Sequence, residues 1–220
     1  MTPNDEALAI IKRIGPVVLS VAVDPTTNEA ATLRRMVGMM VVDENMAHPA
    51  TFGTVFGMVL DLARRCDATL ATMDKVRVAA LAEVPYSLPA VTTVLAIVRL
   101  TLAAEARIIA AMTFRSRDDV DALAKVVNEA FSQTELVAAD DLNADVYMAL
   151  LRLHGDITQH LADSGRVLPR VISYKYQMVM PSLRMAQLAY ADPTRSSDLE
   201  YENAVVHPAF MPLSGRMLAV

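Results

Sequence analysis

The chain has 220 residues, of which 54% are hydrophobic, and its formal net charge is -5. Lysines and arginines are scattered among carboxylates, which argues against a surface that tracks nucleic-acid phosphates. Cys66 is the only cysteine and excludes both an internal disulfide and a cysteine-based metal site. The apolar content exceeds what a soluble monomer needs, so we expect part of the surface to meet another subunit.

The N-terminal residues and the apolar runs bear on export and on membranes. Residues 1–6 are acidic where a secretory signal is basic, and no cleavage site follows the apolar stretch at 16–23. The longest apolar runs, 51–60 and 88–98, are shorter than the roughly 20 residues that a membrane helix requires. We therefore expect synthesis in a reducing cytoplasm and no membrane insertion.

The N-terminal part of the chain carries helical patterns. We expect a break or kink at Gly15-Pro16, because proline cannot continue the hydrogen-bond ladder of a helix. Gly53 and Gly57 lie four residues apart, a spacing that lets two helix backbones approach closely. The predicted helices cover residues 5–23, 28–42 and about 49–82.

Three further helices are predicted before residue 166. Residues 88–114 are alanine-rich and apolar on more than one face, which indicates burial between layers. Ser116 is a predicted N-cap, with Asp119 three residues later, and a stripe from Val120 to Phe131 follows at helical spacing. The next helix is predicted to begin at Asp140-Asp141, to carry the stripe from Leu142 to Leu161, and to end at Ser164-Gly165.

The composition changes at Arg166, where β-branched and aromatic residues become frequent. We predict a strand at 171–176, short helices at 181–190 and 194–203, and a closing strand at 216–220. The predicted fold class is therefore mainly α: a helical bundle at 1–165, which serves oligomerisation and assembly, and a small β-α-α-β domain at 166–220.

The C-terminal segment carries a distinctive motif. Its residues are Met180, Pro181 and Leu183; Tyr190, Ala191 and Asp192; Asn203, His207 and Pro208; Phe210, Pro212, Gly215 and Leu218. This motif resembles the end of the phage tail proteins of the Mu type, historically called DNA circularisation proteins, and is more distantly similar to LysM modules. In those families one helix ends in Tyr-Gly-Asp, a second ends in Asn, and a His-Pro or Asn-Pro turn leads to the last strand. The resemblance covers residues 114–220.

The resemblance implies a non-enzymatic tail, baseplate or tail-hub subunit, present in the virion after synthesis in the bacterial host. Its implied partners are other tail proteins and further copies of the chain in a ring. The first loop, from Gln177 to Pro181, lacks the polar residues with which LysM modules meet N-acetylated sugars, and methionine there favours a protein partner. A peptidoglycan-binding, cell-wall-targeting protein is the alternative. The structural or interface candidates are Met178, Met180, Pro181, Leu183, Tyr190, Asp192, Asn203, His207, Pro208, Phe210 and Pro212.

The C-terminal candidates also have expected structural roles. Leu183, Ala186 and Tyr190 of the first short helix, with Leu199 of the second, are expected to cover the small sheet. Asn203 is expected to cap the second helix in a left-handed conformation. Because alanine follows Tyr190 where the family has glycine, the turn either avoids a left-handed backbone or carries strain.

No enzyme motif or cofactor site emerges from the sequence. His154 and His160 lie six residues apart, about 120° around a helix, and cannot share a metal as an i, i+4 pair does. The Asp118-Asp119 and Asp140-Asp141 pairs lie at predicted helix starts, where negative charge meets the helix dipole. Arg64-Arg65 could lower the pKa of Cys66, but we expect a core thiol. We therefore predict no catalytic residues, no metal and no cofactor.

Overall fold

A computed structural model describes residues 2–22, 24–140 and 144–219, with the backbone alone at 133 and 135–140. Val23, Asp141, Leu142 and Val220, which belong to predicted elements, lie outside the described residues, as does the side chain of Asp140. Within the described part, the chain is mainly helical with a two-stranded antiparallel sheet near its C-terminus. None of the described helices is both long enough and apolar enough to cross a membrane.

Residue contacts divide the chain into two compact units. The N-terminal unit comprises Met1–Met112 and Glu129–Ile157, and the C-terminal unit comprises Thr113–Asn128 and Thr158–Val220. The C-terminal unit thus includes residues 166–220 together with two further segments. That 166–220 forms a domain by itself remains a prediction.

Seven long helices are described before the sheet. They are α1 (Pro3–Leu19), α2 (Asn28–Val42), α3 (Pro49–Arg65), α4 (Leu70–Leu81), α5 (Leu88–Ala111), α6 (Arg117–Asp140) and α7 (Ala144–Arg166). The predicted bounds of the helices at 28–42 and 88–114 agree with α2 and α5 to within three residues. An unpredicted 3-10 turn, Glu44–Ala47, lies between α2 and α3.

Of the two predicted alternatives at Gly15-Pro16, a break is wrong, because α1 continues through Pro16 to Leu19, and a kink stays a prediction. Gly15 is instead a packing position. A Cβ built on Gly15 lies 2.8 Å from Val41 Cγ2, so only glycine lets α1 approach α2 this closely. Packing of α1 against α2 outweighs the hydrogen bond that proline removes from the helix.

The predicted single helix at 49–82 is also wrong, since the structure divides it into α3 and α4. Asp67 has φ 58°, a left-handed conformation that a right-handed helix cannot include. The Thr69 side chain then accepts from the Thr72 N–H, and Thr72 bonds back to Thr69 N in a capping box. A local cap therefore replaces the continued ladder.

The core of the N-terminal unit is built around α5, which packs against α1, α3 and α4. This agrees with the expectation that the α5 segment is buried on more than one side. Phe52 and Phe56 of α3 are fully buried and stack with ring centroids 5.1 Å apart. Cys66 is buried against the same core, and burial raises the pKa of its thiol, so the adjacent arginines do not activate it.

One carboxyl group is buried in this core. Glu105 of α5 is 6% exposed, and its Oε1 lies 3.7 Å from Arg77 Nε of α4. Arg77 also pairs with Asp74. Burial raises the pKa of Glu105 to about 7, although the Arg77 charge opposes the shift.

The sheet of the C-terminal unit consists of β1 (Val171–Lys175) and β2 (Ser214–Leu218), paired antiparallel from Val171 opposite Leu218 to Lys175 opposite Ser214. Between the strands lie α8 (Ser182–Tyr190), a 3-10 turn (Pro193–Arg195) and α9 (Ser196–Glu202). The predicted order of strand, two helices and strand is present. The side chains buried between these elements are Tyr174, Met180, Met185, Ala186, Tyr190, Leu199 and Met211.

The start of α6 also belongs to this unit. Ser116 is fully buried and its hydroxyl accepts from the Asp119 N–H, which confirms the predicted N-cap. Asp118 Oδ2 accepts from the Val171 N–H at 2.7 Å, and the Arg117 N–H donates to the Pro169 carbonyl at 2.9 Å. The predicted helix-start carboxylate Asp118 therefore also anchors the first residue of β1.

Candidate functional site

Two loops of the C-terminal unit, residues 176–181 and 203–213, run beside each other. The Tyr176 N–H donates to the Leu213 carbonyl at 2.7 Å, and the Met211 N–H donates to the Met180 carbonyl at 3.2 Å. A third bond runs from the Ser182 N–H to the Pro208 carbonyl at 2.7 Å. These bonds use main-chain groups, so they fix the loops while leaving their side chains free to point outward.

Most of the outward side chains of the two loops are apolar. Phe210 is 69% exposed, Met178 60% and Leu183, in the first turn of α8, 59%. Exposed aliphatic side chains flank them. We call this surface the loop face; its members are Met178, Val179, Leu183, Val206, Phe210 and Leu213.

Polar and proline residues border the loop face. The His207 ring lies 5.3 Å from the Phe210 ring, and its Nδ1 accepts from the Ala209 N–H at 3.3 Å. Pro181, Pro208 and Pro212 are exposed beside it. Since proline fixes φ, these residues further limit the conformations of both loops.

Leu183 does not cover the sheet as predicted. The buried positions of α8 are Ser182, Met185, Ala186 and Tyr190, and Leu183 is exposed beside them. The Ser182 hydroxyl donates to Glu200 Oε1 of α9 at 2.5 Å, and this bond between helices sets which face of α8 turns inward. No sequence pattern indicates that these two residues pair.

Two of the structural or interface candidates, Met180 and Tyr190, lie in the core of the C-terminal unit, which agrees with the expected place of Tyr190 over the small sheet. Each is less than 10% exposed. The Tyr190 hydroxyl accepts from the Leu218 N–H at 3.1 Å, and the Arg195 guanidinium lies 4.0 Å over its ring. Burial raises the pKa of Tyr190, so its hydroxyl stays neutral and holds β2.

Asp192 and Asn203 are structural caps. Asp192 Oδ1 accepts from the Thr194 hydroxyl and N–H at 2.7 and 2.9 Å, and these bonds lower its pKa. Asn203 Nδ2 donates to the Leu199 carbonyl at 2.7 Å, which confirms that Asn203 caps α9. Its predicted left-handed conformation is wrong: Asn203 has φ -108°, and the following Ala204 has φ 48°.

The Asn203 side chain also reaches β2. Its Nδ2 donates to the Arg216 carbonyl at 2.8 Å, and its Oδ1 accepts from the Arg216 N–H at 2.9 Å. A Cβ built on Gly215 would overlap Asn203 Oδ1 and lie 2.8 Å from the Tyr174 hydroxyl. Glycine is therefore required at 215, so that Asn203 can bond the strand.

Ala191 adopts the strained alternative that the sequence left open. Its φ of 55° and ψ of 17° are left-handed, where an L side chain is disfavoured by about 1–2 kcal/mol. This conformation ends α8 and turns the chain into the 3-10 segment that Asp192 caps.

Across the described residues, no three His, Cys, Asp or Glu side chains are placed to hold a metal ion. His154 stacks on Phe131 with ring centroids 5.1 Å apart, which is a packing role. The loop face presents apolar side chains that can bind an apolar surface.

The comparisons with known proteins do not identify a family. No protein-family model matches the chain, and no curated protein matches it.

Proposed function

We propose that this chain is a structural, non-enzymatic subunit of a phage tail, in the baseplate or tail hub, and that it binds neighbouring tail proteins through the loop face. The observation that carries the proposal is the exposed apolar cluster on two hydrogen-bonded loops. The C-terminal motif, which resembles Mu-type tail proteins, supplies the context. In this role the chain forms a homo-oligomer with ring symmetry.

The energetics of the loop face favour a protein partner. Methionine and aromatic side chains are enriched where proteins meet, and charged residues are depleted there. Apolar area removed from water contributes about 25 cal/mol per Å². Because main-chain bonds already hold the two loops, a partner orders few additional backbone torsions on binding.

Paired leucines on α8 provide the test. Leu183 belongs to the loop face, whereas Leu188, also 59% exposed, lies five residues further, about 140° around the helix. We expect Leu183→Asp to prevent incorporation into tail particles and Leu188→Asp to leave it intact. Immunogold electron microscopy of particles from a lysate, with antibody against this chain, measures both the location and the loss.

The proposal is supported if gold labels the distal end of tails for the wild-type chain and for Leu188→Asp, and if the label is lost for Leu183→Asp. Particles that lack the wild-type chain refute it. Equal incorporation of both variants refutes the role of the loop face. Thermal denaturation of each variant checks that the substitution has not unfolded the chain.

The cell-wall alternative gives a different result. A sugar-binding loop presents hydrogen-bonding groups to its ligand, whereas Met178 and Val179 present none from their side chains. We expect the purified chain to remain in the supernatant when cell-wall sacculi are sedimented. Co-sedimentation that Leu183→Asp abolishes would instead assign the loop face to peptidoglycan.

A further inference from the structure

A groove of about 440 Å³ runs along the N-terminal unit, between α3 and α5. Its lining on α3 falls at residues 54–65, and on α5 at 100–107. Most lining positions recur at steps of three and four residues, as at 54, 57, 61 and 65 on α3 and at 100, 103 and 107 on α5, so these positions share one face of each helix. At 1.5 Å per residue the groove follows α3 for about 16 Å, or three helical turns.

The floor of the groove is small and apolar. A Cβ built on Gly57 meets no atom within 4 Å, so no other part of the described chain fills the space above it. Ala103 and Ala104 lie opposite on α5, and Met36 and Met58 flank the floor. Small residues let a helix backbone approach closely, and methionine adapts to the side chains that arrive with it.

One end of the groove is positively charged. Asp61 contacts three guanidinium groups, those of Arg64 at 3.0 Å, Arg65 at 2.9 Å and Arg107 at 3.8 Å. The side chains of Arg65 and Arg107 are 62% and 66% exposed. Three positive charges against one carboxylate leave two uncompensated, and each guanidinium has five N–H donors.

Arg64 is partly committed to Asp61. Its guanidinium donates to Asp61 Oδ1 at 3.0 Å, and its side chain is 39% exposed. The remaining N–H groups of the three arginines are donors that the single carboxylate of Asp61 does not saturate. A carboxylate placed among Arg64, Arg65 and Arg107 would supply acceptor oxygens in the geometry that guanidinium groups prefer.

We propose that this groove binds an acidic amphipathic helix of a partner protein, with an apolar stripe over Gly57 and carboxylates at the arginine end. The length of the groove, its two helical walls and its small floor suit a helix of about three turns. The positive charge is confined to one end of an apolar groove, which suits a peptide with clustered carboxylates better than a continuous phosphate backbone.

The probe for this proposal is a display library of random helical peptides of about 18 residues, a length that can hold helical structure over the groove. The library is selected against the full chain. The proposal predicts that enriched peptides carry apolar residues at i, i+3, i+4 and i+7, and carboxylates near one end. Enrichment of neutral or basic peptides, or failure to enrich any peptide, overturns it.

Two glycines of α3 offer matched variants. A Cβ built on Gly53 or on Gly57 meets nothing within 4 Å, but only Gly57 lines the groove. We expect Gly57→Leu to weaken binding of the selected peptide by at least about tenfold, because the leucine side chain fills the floor of the groove. We expect Gly53→Leu to leave binding of that peptide unchanged. Equal binding by both variants overturns the proposal, provided that circular dichroism shows both folded.

The charged end is tested with arginines of similar exposure. Arg107→Gln should weaken binding about fivefold at low salt and flatten its salt dependence, whereas Arg35→Gln, an exposed arginine of α2 outside the lining, should do neither. If peptide binding by Arg107→Gln depends on salt as strongly as binding by the wild type does, the proposed role of the arginines is overturned. Self-association of the wild-type chain that Gly57→Leu abolishes would assign the groove to a second copy instead.

Discussion

Replacing Tyr190 with phenylalanine removes one oxygen atom from the core of the C-terminal unit. The Leu218 N–H donates to that oxygen in a buried position. Leu218 pairs with Val171, and in this pair both N–H groups point away from the partner strand, since Val171 N donates to Asp118. Tyr190→Phe therefore leaves the Leu218 N–H buried without a partner.

The expected loss in the free energy of unfolding follows from that geometry. An unsatisfied buried N–H costs about 1–3 kcal/mol, while the ring still packs and still faces Arg195. Tyr190→Ala also empties the ring's space, and its loss should reach about 3–5 kcal/mol. Comparing the stability lost in Tyr190→Phe with that lost in Tyr190→Ala separates the contribution of the hydrogen bond from that of ring packing.

Hydrogen exchange and urea denaturation measure this effect. We expect Tyr190→Phe to lower the free energy of unfolding of the C-terminal unit and to speed exchange at the Leu218 amide by about tenfold. Tyr201→Phe is the matched control, because Tyr201 is 63% exposed. An unfolding free energy within about 0.5 kcal/mol of wild type, with unchanged exchange at Leu218, would show that the hydroxyl does not hold β2.

Three further predictions concern stability. Since the folded-state pKa of Glu105 is raised to about 7, its stabilising contribution is complete below pH 4.5 and is lost as pH rises from there through 7. Urea denaturation at pH 5 and pH 8 should show a fall in the free energy of unfolding of about 2.5 kcal/mol, which Glu105→Gln removes. Gly215→Ala should strongly lower the melting temperature through its collision with Asn203, whereas Gly53→Ala, on the open face of α3, should raise it slightly. Ala191→Gly should also raise the melting temperature, because it relieves about 1 kcal/mol of backbone strain. An unchanged melting temperature would show that the turn is unstrained.

Local sequence signals were sufficient for much of the fold. The Ser116 cap and the frequency of β-branched and aromatic residues near 171 are local signals, and both placed their elements correctly. The division between α3 and α4 was missed because it depends on the left-handed backbone of Asp67, which periodicity does not reveal. The break expected at Pro16 was wrong because packing against Val41, distant in sequence, keeps α1 intact.

The candidate site was predictable only in part, for a similar reason. In the loop before α8, Met178 is exposed and Met180 is buried, and composition alone cannot tell which of the two methionines is buried. The inward face of α8 depends on the bond between Ser182 and Glu200, which lie 18 residues apart. The hydrogen bond from Asn203 to Arg216 likewise joins residues that are distant in sequence. Residue types predicted the loops, whereas the contacts between elements decided which side chains remain outside.

The bonds that tie Asp118 to Val171 and Arg117 to Pro169 have a consequence for how this chain can be recombined. The C-terminal unit is encoded by two separate stretches of the gene, so a single crossover near codon 166 would transfer its sheet without the carboxylate that anchors the first strand. An exchange that preserves the unit must carry the start of α6 along with the end of the chain. Chimeras made with and without residues 113–128 are therefore expected to differ in whether the grafted sheet folds.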